Sequence, residues 1–193
     1  MSQPAHPPLL EVIIGSTRPE RVGDAIARWF LRRARDHGAF EVELIDLAEV
    51  NLPLLDEPRE PSEGNYQLEH TRRWSATVAR ADAFVFVVPE YNHSYNAATK
   101  NALDFLYHEW RYKGAGLVCY GGGARGTRAA QHLKPVLNSL RLIHAGDVAI
   151  GLDGDSFVDG EFPASPQLDR AAVRLMNELT ALTSALRPLR DSP

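Results

Sequence analysis

The segment 83–106 combines three local signals and restricts the possible folds more than any other part of the chain. Residues 84–88 form an unbroken apolar run of aromatic and β-branched side chains, which is typical of a strand buried on both faces. Pro89 ends this run because it has no N–H group to donate to a neighbouring strand. A polar and aromatic segment follows at 90–96, and apolar side chains then recur at helical spacing from about Ala97. The carboxyl end of such a strand is where open α/β sheets bind ligands.

The same alternation of strand and helix recurs along the chain. Apolar or alternating runs predict further strands at 9–15, 41–46, 115–120 and 147–152. Helical spacing predicts a helix that ends at Gly38, others at about 66–80 and 168–186, and apolar helix faces at 97–110 and 129–140. Segments 47–64 and 153–166 are expected to be exposed loops. Five repeats of strand and helix predict a parallel sheet with right-handed crossovers and helices on both faces.

Length and charge narrow the class of protein. The 193 residues predict one domain over 1–193, with a loose proline-rich leader at 1–8. A net charge of -4 without a basic stripe argues against a nucleic-acid or membrane-surface partner. Neither a signal peptide nor an apolar run of roughly 20 residues is present, so a cytoplasmic location is expected.

Cysteine and histidine usage gives no metal or disulfide signal. Cys119 is the single cysteine and lies inside an apolar run, which excludes a disulfide framework and a thiolate cage. The seven histidines show no paired spacing of the HExxH type, so no metal site is expected.

Three loops are expected to meet at one edge of the predicted sheet. They occupy 16–23, 89–96 and 121–126, after the first, third and fourth strands in chain order. These three strands are neighbours in a sheet of order 2-1-3-4-5, and the carboxyl ends of parallel strands share an edge. The sequence therefore predicts one composite ligand site.

The first loop has the chemistry of a phosphate site. Ser16 and Thr17 offer hydroxyl groups, Arg18 offers a forked cation, and the following helix offers unpaired N–H groups. The alternative is an ordinary helix start, in which Ser16 or Thr17 caps the first-turn amides. A nucleotide loop of the Walker type is excluded because its Gly-Lys-Ser/Thr ending is missing.

The third loop carries the spacing Gly121-x-Gly123-x-x-Gly126, which is the dinucleotide fingerprint. Asp147 follows at about the distance of the ribose-binding acid, but the pattern predicts it at the start of its strand, at the opposite edge of the sheet. The interpretation of the chain as a Rossmann dehydrogenase therefore rests on this glycine match alone. The glycines are better explained by close approach of the backbone to a flat ligand.

Three segments together resemble a known family: GSTRPERVG, PEYNHSYNAATKNALDFL and YGGGARGTRAAQHLKPVL. They are similar to the NADPH-dependent FMN reductases of the flavodoxin-like superfamily, over roughly 9–152. The resemblance implies a three-layer sandwich whose five-stranded parallel sheet has the order 2-1-3-4-5. By position it also implies an FMN site made of a phosphate loop, a loop that holds the isoalloxazine and the opposite wall of the ring pocket. Its residues are Ser16, Arg18, Arg21, Val22 and Gly23, then Pro89, Glu90, Tyr91 and Asn92, then Gly121, Gly122 and Gly123.

The resemblance further implies the reaction. FMN would take a hydride from NADPH or NADH and pass it to an acceptor in a ping-pong cycle, the acceptor being a quinone, an azo compound, free flavin or a metal oxyanion. No catalytic side chain is required, since the flavin carries the chemistry. A non-enzymatic electron carrier or flavin-binding regulator on the same fold is the alternative.

Two further expectations concern contacts. Homodimers or homotetramers are implied, and the aromatic segment 105–112 is expected to offer apolar surface to a second copy. Arg125 is expected to border the open face of the flavin and to help select the nicotinamide cofactor through a 2′-phosphate.

Overall fold

A five-stranded parallel sheet runs through the centre of the protein in the computed structural model, which describes residues 7–152, 157 and 160–190. The spatial order of its strands is β2-β1-β3-β4-β5, and every neighbouring pair is parallel. The strands are β1 (Leu9–Ile14), β2 (Glu41–Asp46), β3 (Ala83–Pro89), β4 (Gly114–Gly121) and β5 (Ile143–Gly151). The predicted order 2-1-3-4-5 is confirmed.

Helices cover both faces of the sheet, as predicted. They are α1 (Gly23–His37), α2 (Leu47–Val50), α3 (Glu69–Arg80), α4 (Ala97–Asp104), α5 (Thr127–Ser139) and α6 (Pro166–Arg190). One apolar core lies between the sheet and the pair α1 and α6, and the other lies between the sheet and α3, α4 and α5. Because successive strand residues point to opposite faces, Phe84 and Phe86 enter the second core while Val85 and Val87 enter the first.

The segment after α4 differs from the prediction. α4 ends at Asp104, and Trp110 lies in a separate 3-10 turn, His108–Trp110. Phe105, Leu106 and Trp110 are all buried in the second core, where the Trp110 ring contacts Phe84 at a centroid distance of 5.0 Å. The expectation that 105–112 exposes apolar surface to a partner is therefore wrong, because the protein's own core takes up its largest apolar side chains.

The fifth strand begins earlier than the sequence pattern indicates. It starts at Ile143 and has a register shift opposite Ala115 and Gly116, so Asp147 lies in the middle of the strand, paired with Leu117. The prediction that Asp147 begins its strand is wrong, because the polar residues before it hid the strand signal. The α5 helix continues through Pro135 to Ser139.

The segment 47–64 contains more structure than predicted, namely α2 and a 3-10 turn at Pro61–Glu63. The Asn101 amide fixes it to α4, donating to Pro53 O at 2.7 Å and accepting from Leu55 N at 2.9 Å. Residues 1–6 of the predicted leader lie outside the described residues. So do residues 153–156 and 158–159 of the loop predicted at 153–166. None of the helices described here has the length and apolar composition that crossing a bilayer requires.

Candidate functional site

Three loops contact one another at the carboxyl edge of the sheet, after β1, β3 and β4. Oγ of Ser16 lies 2.9 Å from the hydroxyl oxygen of Tyr91, which joins the first loop to the second. The backbone N–H of Glu90 donates to Tyr120 O at 2.8 Å, which joins the second loop to the end of β4. The structure therefore brings the three predicted segments together.

The buried side-chain amide of Asn96 holds the start of the first loop in place. Nδ2 of Asn96 donates to Gly15 O at 2.6 Å, and Oδ1 of Asn96 accepts from Oγ1 of Thr99 at 2.8 Å. A Cβ atom on Gly15 would overlap the Thr99 hydroxyl, so this close approach requires glycine. Asn96 and Thr99 were missed as site residues, although an Asn directly before a helix is a recognisable signal.

The start of α1 has no side-chain cap. Val22 occupies the cap position and makes no capping hydrogen bond, so the alternative in which Ser16 or Thr17 caps this helix is not what the structure has. The first-turn N–H groups therefore point into the first loop with the positive end of the helix dipole. Arg18 is exposed, and its guanidinium has no hydrogen-bond or ion-pair partner in the part of the chain that the structure describes.

Arg21 behaves differently from Arg18. Its guanidinium forms an ion pair with Asp46, whose other carboxylate oxygen accepts from Ala48 N at 2.9 Å and caps α2. Nε of Arg21 is buried without a hydrogen-bond partner. Arg21 therefore anchors the first loop to the end of β2.

A buried tyrosine completes this end of the site. The Tyr120 hydroxyl is buried without a hydrogen-bond partner, directly beside Gly23 at the start of α1. A Cβ atom on Gly23 would overlap this hydroxyl. Burial raises the pKa of Tyr120, so its hydroxyl stays protonated and can donate. Tyr120 was also missed, since a single polar atom at the end of an apolar strand carries little sequence signal.

The second loop is a tight hairpin. Tyr91 and Ser94 exchange backbone hydrogen bonds of 2.9 and 3.0 Å, and the two residues between them have left-handed backbones, with φ of 48° at Asn92 and 74° at His93. Asn and His adopt this region more readily than most residues, which makes the turn possible without glycine. The hairpin leaves the Tyr91 side chain 40% exposed above Ser16.

Glu90 ties the second loop to the third. Its carboxylate accepts from Arg128 N and from Nη1 of Arg128, each at 3.2 Å, and so occupies the first turn of α5. The neighbouring Gly121 allows close packing, because a Cβ atom there would lie 3.1 Å from Glu90 Cβ. A Cβ atom on Gly122 or Gly123 would have no atom within 4 Å. These two glycines therefore present open backbone, whereas Gly121 is required for packing.

A family model described as NADPH-dependent FMN reductase matches residues 8–155, which includes all three loops. The chain belongs to this family of FMN reductases. The expected resemblance is confirmed, and the protein is an oxidoreductase that uses FMN and NAD(P)H.

Individual FMN reductases and related flavoproteins support the assignment. An NAD(P)H-dependent FMN reductase of Schizosaccharomyces pombe is 42% identical over 156 residues, covering 79% of this chain and 78% of that protein. An FMN-dependent NADPH-azoreductase of Staphylococcus aureus is 29% identical over 167 residues, covering 81% and 88%. The flavoenzyme NAD(P)H:(acceptor) oxidoreductase FerB of Paracoccus denitrificans shares the fold, with a TM-score of 0.67, 19% identity and coverage of 94% and 98%.

The residues of this FMN reductase fit its cofactor at both ends. Uncapped amides, the free Arg18 guanidinium and the unpaired Tyr120 hydroxyl form a donor set suited to a phosphate dianion. Gly122 and Gly123 provide open backbone for a flat ring. Pro89 is buried at the end of β3, where it starts the loop that carries Tyr91.

Arg125, in the third loop, and Asp147, in the middle of β5, make contacts of other kinds. The Arg125 side chain lies across Gly151 of β5 rather than over Gly122 and Gly123. That it borders the flavin stays a prediction. The Asp147 carboxylate accepts from Lys134 and His144 at 2.6 Å each. Although burial alone would raise the pKa of Asp147, these two hydrogen bonds lower it. Asp147 is thus a structural ion-pair partner, and the dinucleotide fingerprint of a Rossmann dehydrogenase is a coincidence of spacing.

Proposed function

We propose that this FMN reductase transfers hydride in two half-reactions that share one open face. NAD(P)H would bind first and leave oxidised, and an acceptor such as a quinone, an azo compound, free flavin or a metal oxyanion would then take its place. When bound, FMN supplies the chemistry, since its ring accepts a hydride from one substrate and donates it to the next.

The observation that carries the proposal is the contact between Ser16 and Tyr91, which joins the phosphate loop to the ring loop. The distance of 2.9 Å between their hydroxyl oxygens supports one ligand shared by the two loops rather than a separate ligand for each. Ser16 is fully buried, so its hydroxyl meets a ligand from the protein side, while Tyr91 covers it from solvent.

The phosphate of FMN would lie at the start of α1. Arg18 would provide the charge and Tyr120 a buried donor, while the first-turn N–H groups provide the helix dipole. Charge-assisted hydrogen bonds of this kind contribute about 1.5–3 kcal/mol each. The proposed roles of Val22 and Gly23 are those of backbone donors, because neither side chain has a polar atom.

The ring would lie against the backbone of 90–92 and 121–123. The N–H groups of Glu90 and Tyr91 already donate to Tyr120 O and Ser94 O, so those of Asn92, Gly122 and Gly123 are the ones that would face the ring. They are fixed before the ligand arrives and would stabilise charge on the ring without reorganising. Tyr91 and Asn92 are exposed at one side and Gly122 and Gly123 at the other. Because one open face serves both substrates, the second substrate cannot bind until the first has left.

Initial rates at varied NADPH and quinone concentrations test the shared face. Double-reciprocal plots are expected to be parallel, and the quinone is expected to inhibit competitively against NADPH at high concentration. Intersecting lines would require both substrates to be bound at once and would contradict the proposal.

Self-association into homodimers or homotetramers is a separate part of the proposal. The supporting surface is the rigid segment that carries Leu54, which is 82% exposed, beside a cleft of about 470 Å³ between α2 and α4. Light scattering should give a multiple of 21.4 kDa at micromolar concentration, and Leu54→Glu should shift the protein toward the monomer. A monomer for the unaltered protein would contradict this part alone.

A further inference from the structure

Two histidines from different elements lie together beside the second loop. His93 is at the tip of the hairpin that follows β3, and His132 is in the second turn of α5. Their ring centroids are 6.0 Å apart, and the ring planes make an angle of 53°. Both residues are exposed. The sequence spacing of the histidines does not show this pair, because only the fold brings the hairpin and the helix together.

The separation of the two rings suits one metal ion. An imidazole nitrogen lies about 2.0–2.1 Å from a bound metal, which puts the centres of two coordinating rings about 5 to 6 Å apart. The observed distance of 6.0 Å agrees with this value. Because both side chains are exposed, rotation about their side-chain bonds can direct one nitrogen of each ring at the same point.

A hydrogen bond prepares the His132 ring for coordination. Nδ1 of His132 lies 3.2 Å from Oγ of Ser94. When Nδ1–H donates to this hydroxyl, Nε2 carries the lone pair that a metal needs. Histidines that bind metals are commonly oriented by such a bond from the other ring nitrogen. The His93 ring makes no hydrogen bond in the part of the chain that the structure describes, so either of its nitrogens can coordinate.

The backbone and the charges next to the pair are compatible with a bound cation. His93 has a left-handed backbone with φ of 74°, between the two hydrogen bonds that close the hairpin. Arg128 lies one turn before His132 on α5, and its charge would repel a cation. However, its guanidinium is paired with the Glu90 carboxylate at 3.2 Å. The positive charge beside the pair is therefore compensated.

The number of protein ligands indicates which metal is favoured. No third histidine, cysteine or carboxylate joins the pair within the described ranges 7–152, 157 and 160–190. A bound ion would therefore keep water at its remaining positions and could exchange with solvent. Among divalent metals of the first row, copper(II) binds nitrogen ligands most strongly. A site of two imidazoles is thus best suited to copper(II).

We propose that His93 and His132 bind a copper(II) ion beside the open face of the flavin site, and that this ion serves as an electron acceptor. The inference rests on the proposed function, in which the ring lies against the backbone of 90–92. His93 directly follows this stretch, so the ion lies at the edge of the ring pocket. Each NADPH gives up a hydride, which is two electrons and a proton. Two copper(II) ions are reduced in turn to copper(I), and the proton goes to solvent.

Copper binding is tested with the oxidised, FMN-loaded protein by calorimetry and by the EPR signal of copper(II). The unaltered protein should bind one ion per chain, with hyperfine coupling to nitrogen. His93→Asn, which tolerates the left-handed backbone, and His132→Gln should each weaken binding by at least about tenfold. Ser94→Ala should weaken it by about tenfold, because the His132 ring loses its orienting hydrogen bond.

The control is His108→Gln, which removes an exposed histidine that lies before β4, at the opposite edge of the sheet. It should bind copper(II) as the unaltered protein does. Equal weakening by His108→Gln would show unspecific binding to surface histidines and would overturn the inference. Unchanged binding in His93→Asn and His132→Gln would overturn it as well.

Reoxidation of the flavin tests the acceptor role without NADPH. The FMN-loaded protein is reduced with one equivalent of dithionite and then mixed anaerobically with copper(II) below saturation. The flavin absorbance should return on the order of tenfold faster in the unaltered protein than in His93→Asn or His132→Gln. A quinone should reoxidise all three at the same rate. Equal rates with copper(II) would overturn the inference. If copper(II) reoxidised the flavin through both histidines but NADPH could not reduce it, the proposed function would fail and the copper site would stand.

Discussion

The hydroxyl oxygens of Ser16 and Tyr91 lie 2.9 Å apart, although 75 residues separate them in the chain. The contact exists because β1 and β3 are parallel neighbours whose carboxyl ends share an edge. Tyr91 thus gives the buried Ser16 hydroxyl a hydrogen-bond partner from the second loop. The site therefore depends on a side-chain contact as well as on the backbone of its loops.

Tyr91→Phe tests the value of this contact. Loss of one neutral hydrogen bond of about 0.5–1.5 kcal/mol should weaken FMN binding by roughly two- to tenfold, because the loops are held together less firmly. Fluorescence titration of the apoprotein with FMN measures the effect. Tyr95→Phe, a half-buried tyrosine next to the same loop, is the control and should leave the affinity unchanged.

Arg18→Ala tests the phosphate site. A charge-assisted contact of about 1.5–3 kcal/mol predicts FMN binding that is ten- to a hundredfold weaker. Riboflavin lacks the phosphate, so its affinity should be the same for the variant and the unaltered protein. Arg35→Ala, an exposed arginine in the last turn of α1, should bind FMN normally. Equal losses for FMN and riboflavin would remove Arg18 from the phosphate site.

Gly126→Ala should destabilise the fold at the third loop. Gly126 has φ of 78°, and a Cβ atom there would overlap the backbone of Cys119 and Tyr120. Backbone strain and displacement of β4 should together lower the free energy of unfolding by about 2–4 kcal/mol. Gly123→Ala meets no atom within 4 Å and should unfold at nearly the original urea concentration. Similar midpoints for the two variants would contradict the close approach at Gly126.

Glu11 makes the stability depend on pH. Its carboxylate is fully buried on β1 with no hydrogen-bond partner, and burial raises its pKa from 4.5 to about 7 despite the opposing charges of Arg80 and Lys113. The folded state thus holds a proton that the unfolded state releases. The resulting stabilisation is complete below pH 4.5 and is lost as the pH rises through about 7.

Glu11→Gln tests this linkage because it keeps the shape and removes the titration. Between about pH 5 and pH 8, the free energy of unfolding of the unaltered protein should fall by roughly 1–3 kcal/mol, as measured by urea unfolding. The variant should not show this fall. Glu178→Gln removes an exposed carboxylate of α6 and serves as the control. A pH profile that Glu11→Gln left unchanged would mean that Glu11 is not the titrating group.

The order of the sheet could be predicted because each strand signal is local. The unbroken run at 84–88 and the alternation at 41–46 report burial directly, and both strands end within one residue of the expected positions. β5 was predicted to begin four residues too late, at 147 instead of Ile143, since His144 and Gly146 interrupt the apolar pattern. Trp110 is buried because its ring packs against Trp74, Phe84 and Phe86. These residues are too far from it in the sequence for a local pattern to predict the contact.

The site was predictable in its loops but not in its supports. The motifs Gly-Ser-Thr-Arg and Pro-Glu-Tyr-Asn predict a phosphate loop and a ring loop from residue types alone, and residue types can be taken directly from the sequence. Tyr120 and Asn96 matter because of what lies opposite them, namely Gly23 and Gly15. Arg125 belongs to a predicted loop but points away from it, because its direction depends on the missing side chain of Gly151.

The central claim is that FMN held by the three loops mediates between NAD(P)H and a separate acceptor. The direct measurement is the visible absorbance of the FMN-loaded protein during anaerobic addition of one equivalent of NADPH, followed by one equivalent of quinone. The account predicts that the flavin absorbance bleaches within seconds and returns in full when the quinone is added. Absorbance that persists in the presence of NADPH would contradict the account and would favour an electron carrier or a flavin-binding regulator.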